Sequence, residues 1–144
     1  MIRPLFVVAA LALGATAVVA QGDPIAERKA AMKSVGAAAK VIGDTMKGDA
    51  KFELAAIQKS LGTFVTVSKD YDKFFPATAK EGGETTAAPK IWEDMAGFKA
   101  ALAKLNADAT AAQASIKDEA SFKAEIGKVM GDCKACHDVY RVKK

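Results

Sequence analysis

Four stretches of this chain space their apolar residues alternately three and four apart, and that rhythm constrains the fold more than any other feature of the sequence. Such spacing marks one face of an α-helix, whereas a half-buried strand would alternate at every second residue. The first stretch runs from about Pro24 to Lys47 with a seam of Ile25, Arg28, Met32, Val35, Ala39, Ile42 and Met46. Asp23 fits its N-cap, Pro24 its first helical position and Gly48 the residue just past its end. The second, from about Glu53 to Lys73, carries Leu54, Ile57, Leu61, Phe64, Ser68, Tyr71 and Phe75, and Pro76 closes it. The third opens at Pro89 with Ile91, Met95, Phe98, Leu102, Leu105, Ala109, Ala112 and Ile116 in register. The fourth opens near Asp118 with Phe122, Ile126, Val129, Cys133, Cys136 and Tyr140.

Seams with a mean period of about 3.5 residues favour left-handed, nearly antiparallel packing. The spacing therefore predicts an all-α fold, an antiparallel up-down-up-down four-helix bundle. Short connections at about residues 48–52 and 117–118 make the first helix antiparallel to the second and the third to the fourth. The longer link, Pro76 to Ala88, holds Gly82-Gly83 and Thr85-Thr86 and is predicted as a surface loop.

Residues 1–20 are expected to be a cleaved export signal. Arg3 supplies a positive start, Leu5 to Ala20 is apolar or small throughout, and Val18-Val19-Ala20 ends the run in residues suited to cleavage. An uncleaved anchor is disfavoured, because sixteen residues fall short of the roughly twenty that span a bilayer. No stable membrane insertion is expected after cleavage. Residues 21–144 are then long enough for one domain with a modest core. Losing Arg3 lowers the formal charge from +4 to +3, and the remaining basic residues are dispersed apart from Arg141, Lys143 and Lys144. Without a basic stripe interleaved with aromatics, nucleic-acid binding is not indicated. The terminal basic cluster suits the C-terminal end of a helix dipole.

The chemistry is concentrated in Cys133-Lys134-Ala135-Cys136-His137. Cys-x-x-Cys-His is the attachment signature of c-type haem. Two thiols three apart on a helix share one face at about 5 Å, a spacing that suits the two vinyl groups of one porphyrin, and the adjoining imidazole can ligate iron. A thioredoxin-like pair would need a preceding strand and a helix N-terminus. Structural zinc needs four ligands, but the chain has only two Cys and one His. A disulfide between residues three apart in a helix is geometrically awkward. Haem attachment also fits export, since it takes place outside the cytoplasm. Small seam residues would let some helix pairs approach closely while others splay to admit a flat ring.

In the predicted topology the haem, tethered near the C-terminus of the fourth helix, packs against the first turns of helices one and three. With no second His, the sixth position falls to Met, Lys or nothing. Met32 lies about 12 Å into its helix and His137 about 7 Å from the end of its own, at 1.5 Å per residue. Met46 sits at the far end, Met130 shares the helix of His137, and Met1 leaves with the signal, so Met32 and Met95 remain. Arg28, one turn before Met32, could neutralise a haem propionate or snorkel at the bundle mouth. Arg141 could sit over the proximal edge. Trp92 and Phe98 could pack against the porphyrin or simply fill core.

Arg28-x-x-x-Met32, Pro89-Lys90-Ile91-Trp92, Phe98 and the Cys-x-x-Cys-His motif followed by Tyr140-Arg141 give the chain its family resemblance. It resembles the cytochrome c' and cytochrome c-556 family, the class II c-type cytochromes, across residues 21–144. The resemblance implies a periplasmic electron-transfer bundle with one covalently bound haem c and its iron, often a homodimer through helices one and two. In that family the position matching Met32 separates two behaviours: a non-ligating side chain leaves a five-coordinate, high-spin iron open to nitric oxide or carbon monoxide, and Met there serves the c-556 type as sixth ligand. Met32-Lys33-Ser34-Val35-Gly36 is similar to the latter, so the resemblance implies Met32 opposite His137 on a low-spin iron, although some high-spin members also carry Met there and the assignment stays open. The expected function is one-electron transfer with redox partner proteins. Catalysis is not expected, because no acid-base or nucleophilic constellation is present. Two alternatives stand beside it: a gas-binding high-spin protein, and a non-haem exported dithiol or structural bundle.

Overall fold

The computed structural model describes residues 22–143. The export signal with its cleavage point, Gln21 and Lys144 lie outside the described residues. Five helices follow in order: α1 Pro24–Lys47, α2 Leu54–Asp70, α3 Lys90–Glu93, α4 Met95–Ser115 and α5 Glu119–Tyr140. No strand occurs among the described residues. The four long helices form the predicted bundle, α1 packing on α2, α2 on α4 and α4 on α5. The pair that would close the ring, α1 and α5, is not in comparably close contact.

Local chemistry explains the ends of α1. Asp23 Oδ1 accepts from the Ile25 amide at 2.9 Å, Pro24 occupies the first position, and Gly48 takes φ 83° so that its N–H can return to the carbonyls of Asp44 and Thr45. At the start of α5, Asp118 Oδ1 accepts from the Ser121 amide at 2.8 Å while the Asp118 amide donates to Ser121 Oγ at 3.1 Å, a reciprocal cap.

The predicted third helix proves to be two. The chain breaks at Asp94 (φ −135°, ψ 59°), whose Oδ1 accepts from the Gly97 amide at 3.0 Å and starts α4 afresh. An Asp side chain competes with the backbone for local hydrogen bonds, and apolar spacing does not register that competition. The second predicted helix likewise ends early, tightening at Tyr71–Phe74 into a 3₁₀ turn ahead of Pro76, which disfavours helical geometry at the residue before it.

The seam of α1 also drifts from its prediction. Arg28, Val35 and Ile42 are buried, but Met46 is 46% exposed and Ala38 and Thr45 are buried in its neighbourhood. A straight helix departs from a strict seven-residue repeat by about 20° per heptad, enough to turn the end of a long seam outward. The main core joins Ile42, Ile57, Leu61, Phe64, Ile116, Phe122, Ile126 and Val129, each fully buried large side chain contributing roughly 1.5–3 kcal/mol. A second cluster, Tyr71, Phe75, Ile91, Phe98, Leu102 and Tyr140, sits at the end of the bundle that carries the Cys-x-x-Cys-His motif, and Met32 packs against both.

The long link is more than a surface loop. Ala77–Ala79 forms a 3₁₀ turn, Ala79 and Ala88 are buried, and only residues 80–84 form a continuously exposed tip. Its last residues pair antiparallel with the C-terminal segment through an Ala87–Arg141 bridge, with Ala88 N donating to Tyr140 O at 3.0 Å and Val142 N to Thr86 O at 2.9 Å.

Candidate cofactor site

Where α1 and α5 stand apart, a cavity of about 370 Å³ opens. From α5 and the residue after it come Cys133, Cys136, His137, Tyr140 and Arg141; from α1, Arg28, Met32 and Val35; from α2 and its 3₁₀ turn, Phe64 and Tyr71; from α4, Phe98 and Leu102; from the link, Thr85 and Thr86. The fold thus gathers six of the seven candidate residues around one space, although Arg28 and Arg141 lie more than a hundred positions apart in the chain. Met95 is not in the cavity wall; it packs against the aromatic cluster. Of the two methionines the spacing left open, only Met32 shares the space with His137.

The electrostatics suit a ligating imidazole and disfavour a redox dithiol. Burial lowers the His137 pKa, Arg141 lowers it further and Asp138 opposes them, which favours the neutral ring that binds metals. Burial pushes the Cys136 thiol up to about 11, with Cys133 adding to the effect. Cys133 is also raised, by burial first and then by Asp132. Thiol-exchange chemistry depends on lowered thiol pKa values at helix N-termini, whereas these thiols lie near the C-terminal end of α5 and are not joined in a disulfide.

Arg28 and Trp92 are both fastened to the link. Arg28 does not snorkel: it is 2% exposed, and its Nη1 donates to Ala79 O at 2.9 Å and Phe74 O at 3.5 Å while Nη2 donates to Thr85 Oγ1 at 3.0 Å. Its Nε is buried without a partner. The guanidinium lies 5.0 Å from the Phe75 ring centre and 5.7 Å from that of Trp92. Trp92, which could pack against the porphyrin or fill core, is not in the cavity wall. Its indole donates instead to Phe75 O at 3.0 Å and Pro76 O at 3.3 Å, because a buried indole N–H needs an acceptor and the closing turn of the link offers two. Of the two aromatics left between porphyrin contact and core filling, Phe98 lines the cavity and Trp92 does not.

Spacing alone missed the bond from Tyr140 OH to Asp94 Oδ2 at 3.1 Å, which ties the last turn of α5 to the head of α4, and the contribution of Thr85 and Thr86. The Thr-Thr pair lay in view within the link, but its place on the wall depends on the bridge to Arg141.

The family profile for cytochrome c' matches residues 23–141. The chain belongs to the cytochrome c' family. It is 52% identical to cytochrome c' of Rhodopseudomonas palustris over 92% of this chain and 90% of that one. It is 34% identical to cytochrome c-556 of the same organism over 68% of each. The solved structure of the R. palustris cytochrome c' superposes with a TM-score of 0.83 at 56% identity, covering 86% of this chain and 99% of that one. A nitric oxide complex of a variant cytochrome c' from Alcaligenes xylosoxidans superposes at 0.70 with 29% identity, covering 83% of this chain and 94% of that one. Cytochromes of this family carry covalently attached haem c with its iron. The residues here fit that group: two thiols and a neutral imidazole line one cavity, against an aromatic and aliphatic wall, with two arginines at its border.

Proposed function

We propose that this cytochrome carries single electrons in the periplasm, its haem tethered by Cys133 and Cys136 and its iron held between His137 and Met32. The observation that carries this reading is that Met32, and not Met95, lines the space that His137 lines. A haem iron held by Met and His supplies one-electron chemistry without exchanging a ligand. The protein contributes a largely apolar enclosure that excludes water, the neutral imidazole, and, for the haem carboxylates, Arg141 together with the one unpartnered nitrogen of Arg28, its Nε. Trp92 supports Arg28 from behind.

Residues 1–20 serve in this reading as the export signal and 21–144 as the single working domain. No helix among the described residues is long and apolar enough to cross a membrane. Exposed Val41, Met46 and Leu54 on α1 and α2 suit a homodimer through those helices, and redox proteins are the exchanging partners.

The greater identity to a cytochrome c' than to a cytochrome c-556, together with the nitric oxide complex of a relative, favours a second reading. In it Met32 only caps an open distal side and the iron takes up a diatomic gas. One experiment separates the two. The protein, made in a host competent for c-type maturation, is expected to gain the mass of one haem and to show a sharp, low-spin α-band in the reduced-minus-oxidised spectrum, unchanged by carbon monoxide. Broad high-spin bands that shift with the gas would replace the carrier by the gas binder. A colourless product with the bare mass would end both and leave the dithiol or structural bundle.

A further inference from the structure

A second hollow of about 370 Å³ lies on the outer side of the α2–α4 contact, and Ser68 and Leu102 line both this groove and the haem-side cavity. Both residues are buried, so a single layer of side chains separates the two spaces. Outside it stand Lys69, Lys99 and Ala103, with Lys99 paired to Asp72 at 3.2 Å.

The Asn106 amide nitrogen and the Ser68 hydroxyl of the partition are already engaged. Asn106 Nδ2 donates to Val65 O at 2.8 Å and to Ser68 Oγ at 3.0 Å, and Ser68 Oγ donates to Phe64 O at 2.6 Å. An ion would have to give up its hydration to cross this layer. Leu102 is the one apolar side chain that lines both hollows, so a change of its rotamer is the least costly way to let a small neutral molecule across.

We propose that the α2–α4 groove is an entry route to the haem for small neutral diatomic molecules, with Leu102 as its gate. The proposal rests on the haem assignment above and holds whether or not Met32 is a ligand.

The test is flash photolysis of the carbon monoxide adduct of the reduced holoprotein, using the parent if it binds the gas and Met32→Ala if it does not. Ala103→Trp fills the groove from its exposed side without reaching the cavity. It is expected to slow bimolecular association roughly threefold or more, equivalent to about 0.65 kcal/mol in barrier, with the spectrum of the adduct unchanged. Leu102→Ala is expected to speed association by a similar factor. Unchanged association in Ala103→Trp overturns the proposal even if Leu102→Ala is faster, since the latter then reports only an enlarged cavity. A holoprotein in which neither parent nor Met32→Ala binds carbon monoxide overturns it as well. Parental binding of the gas, by contrast, overturns only the Met32 ligation.

Discussion

The guanidinium of Arg28 donates to the carbonyl of Ala79 at 2.9 Å across fifty-one residues of chain, from a buried position that also reaches Thr85. One side chain on α1 therefore fastens the link that borders the haem cavity. Arg28→Ala leaves the Ala79 carbonyl without its donor and empties a stacked position beside Phe75, so it is expected to cost about 2–4 kcal/mol. Arg28→Lys keeps the charge but loses the fork and should recover only part of that. Denaturant unfolding of the holoprotein measures both; equal stability of Arg28→Ala and parent would remove Arg28 from this role.

Gly97 faces Asp94 and Tyr140 so closely that a Cβ there would lie 2.5 Å from the Tyr140 hydroxyl and overlap the Asp94 carboxylate. Gly97→Ala must push apart the cap of α4 and its tie to α5, at an expected cost of about 1–3 kcal/mol. Asp94→Asn keeps the shape and should cost less. The order of the two midpoints in urea checks the claim.

Tyr71 gives alkaline stability a defined sign. Burial is the largest cause raising its phenol from the usual 10.0 to about 12, opposed by Arg28, and its OH donates to Arg28 O at 3.2 Å. The unfolded chain loses this proton first, so the contribution is intact below about pH 10 and is lost as pH rises toward about 12. Tyr71→Phe should cost about 1 kcal/mol at neutral pH and flatten that alkaline decline. An equal decline in parent and Tyr71→Phe would contradict the assignment.

His137→Ala is expected to leave haem attached but displace the Soret band from its native position. Met32→Ala is expected to create carbon monoxide binding where the parent has none. An unchanged Soret band in the first variant, or unchanged gas affinity in the second, would deny the respective residue its place at the iron.

The Cys-x-x-Cys-His motif and the helical seams were legible because both depend on spacing within one helix. Asp23, Pro24 and Gly48 marked the bounds of α1 for the same reason. The break at Asp94 was not legible, since it is held in part by Tyr140, forty-six residues away. Spacing left Trp92 between ring and core, because it shows which face a residue occupies but not that the link's carbonyls lie beside it.

By itself, then, the sequence determined four amphipathic helices and the chemistry of the cofactor, through periodicity and through residue types whose reactivity is local. Only the tertiary structure decided which methionine shares a cavity with His137, that Arg28 is a buried fastening, and that Leu102 divides two hollows. Those outcomes depend on how far apart the helices stand, which arises from packing between segments distant in the chain.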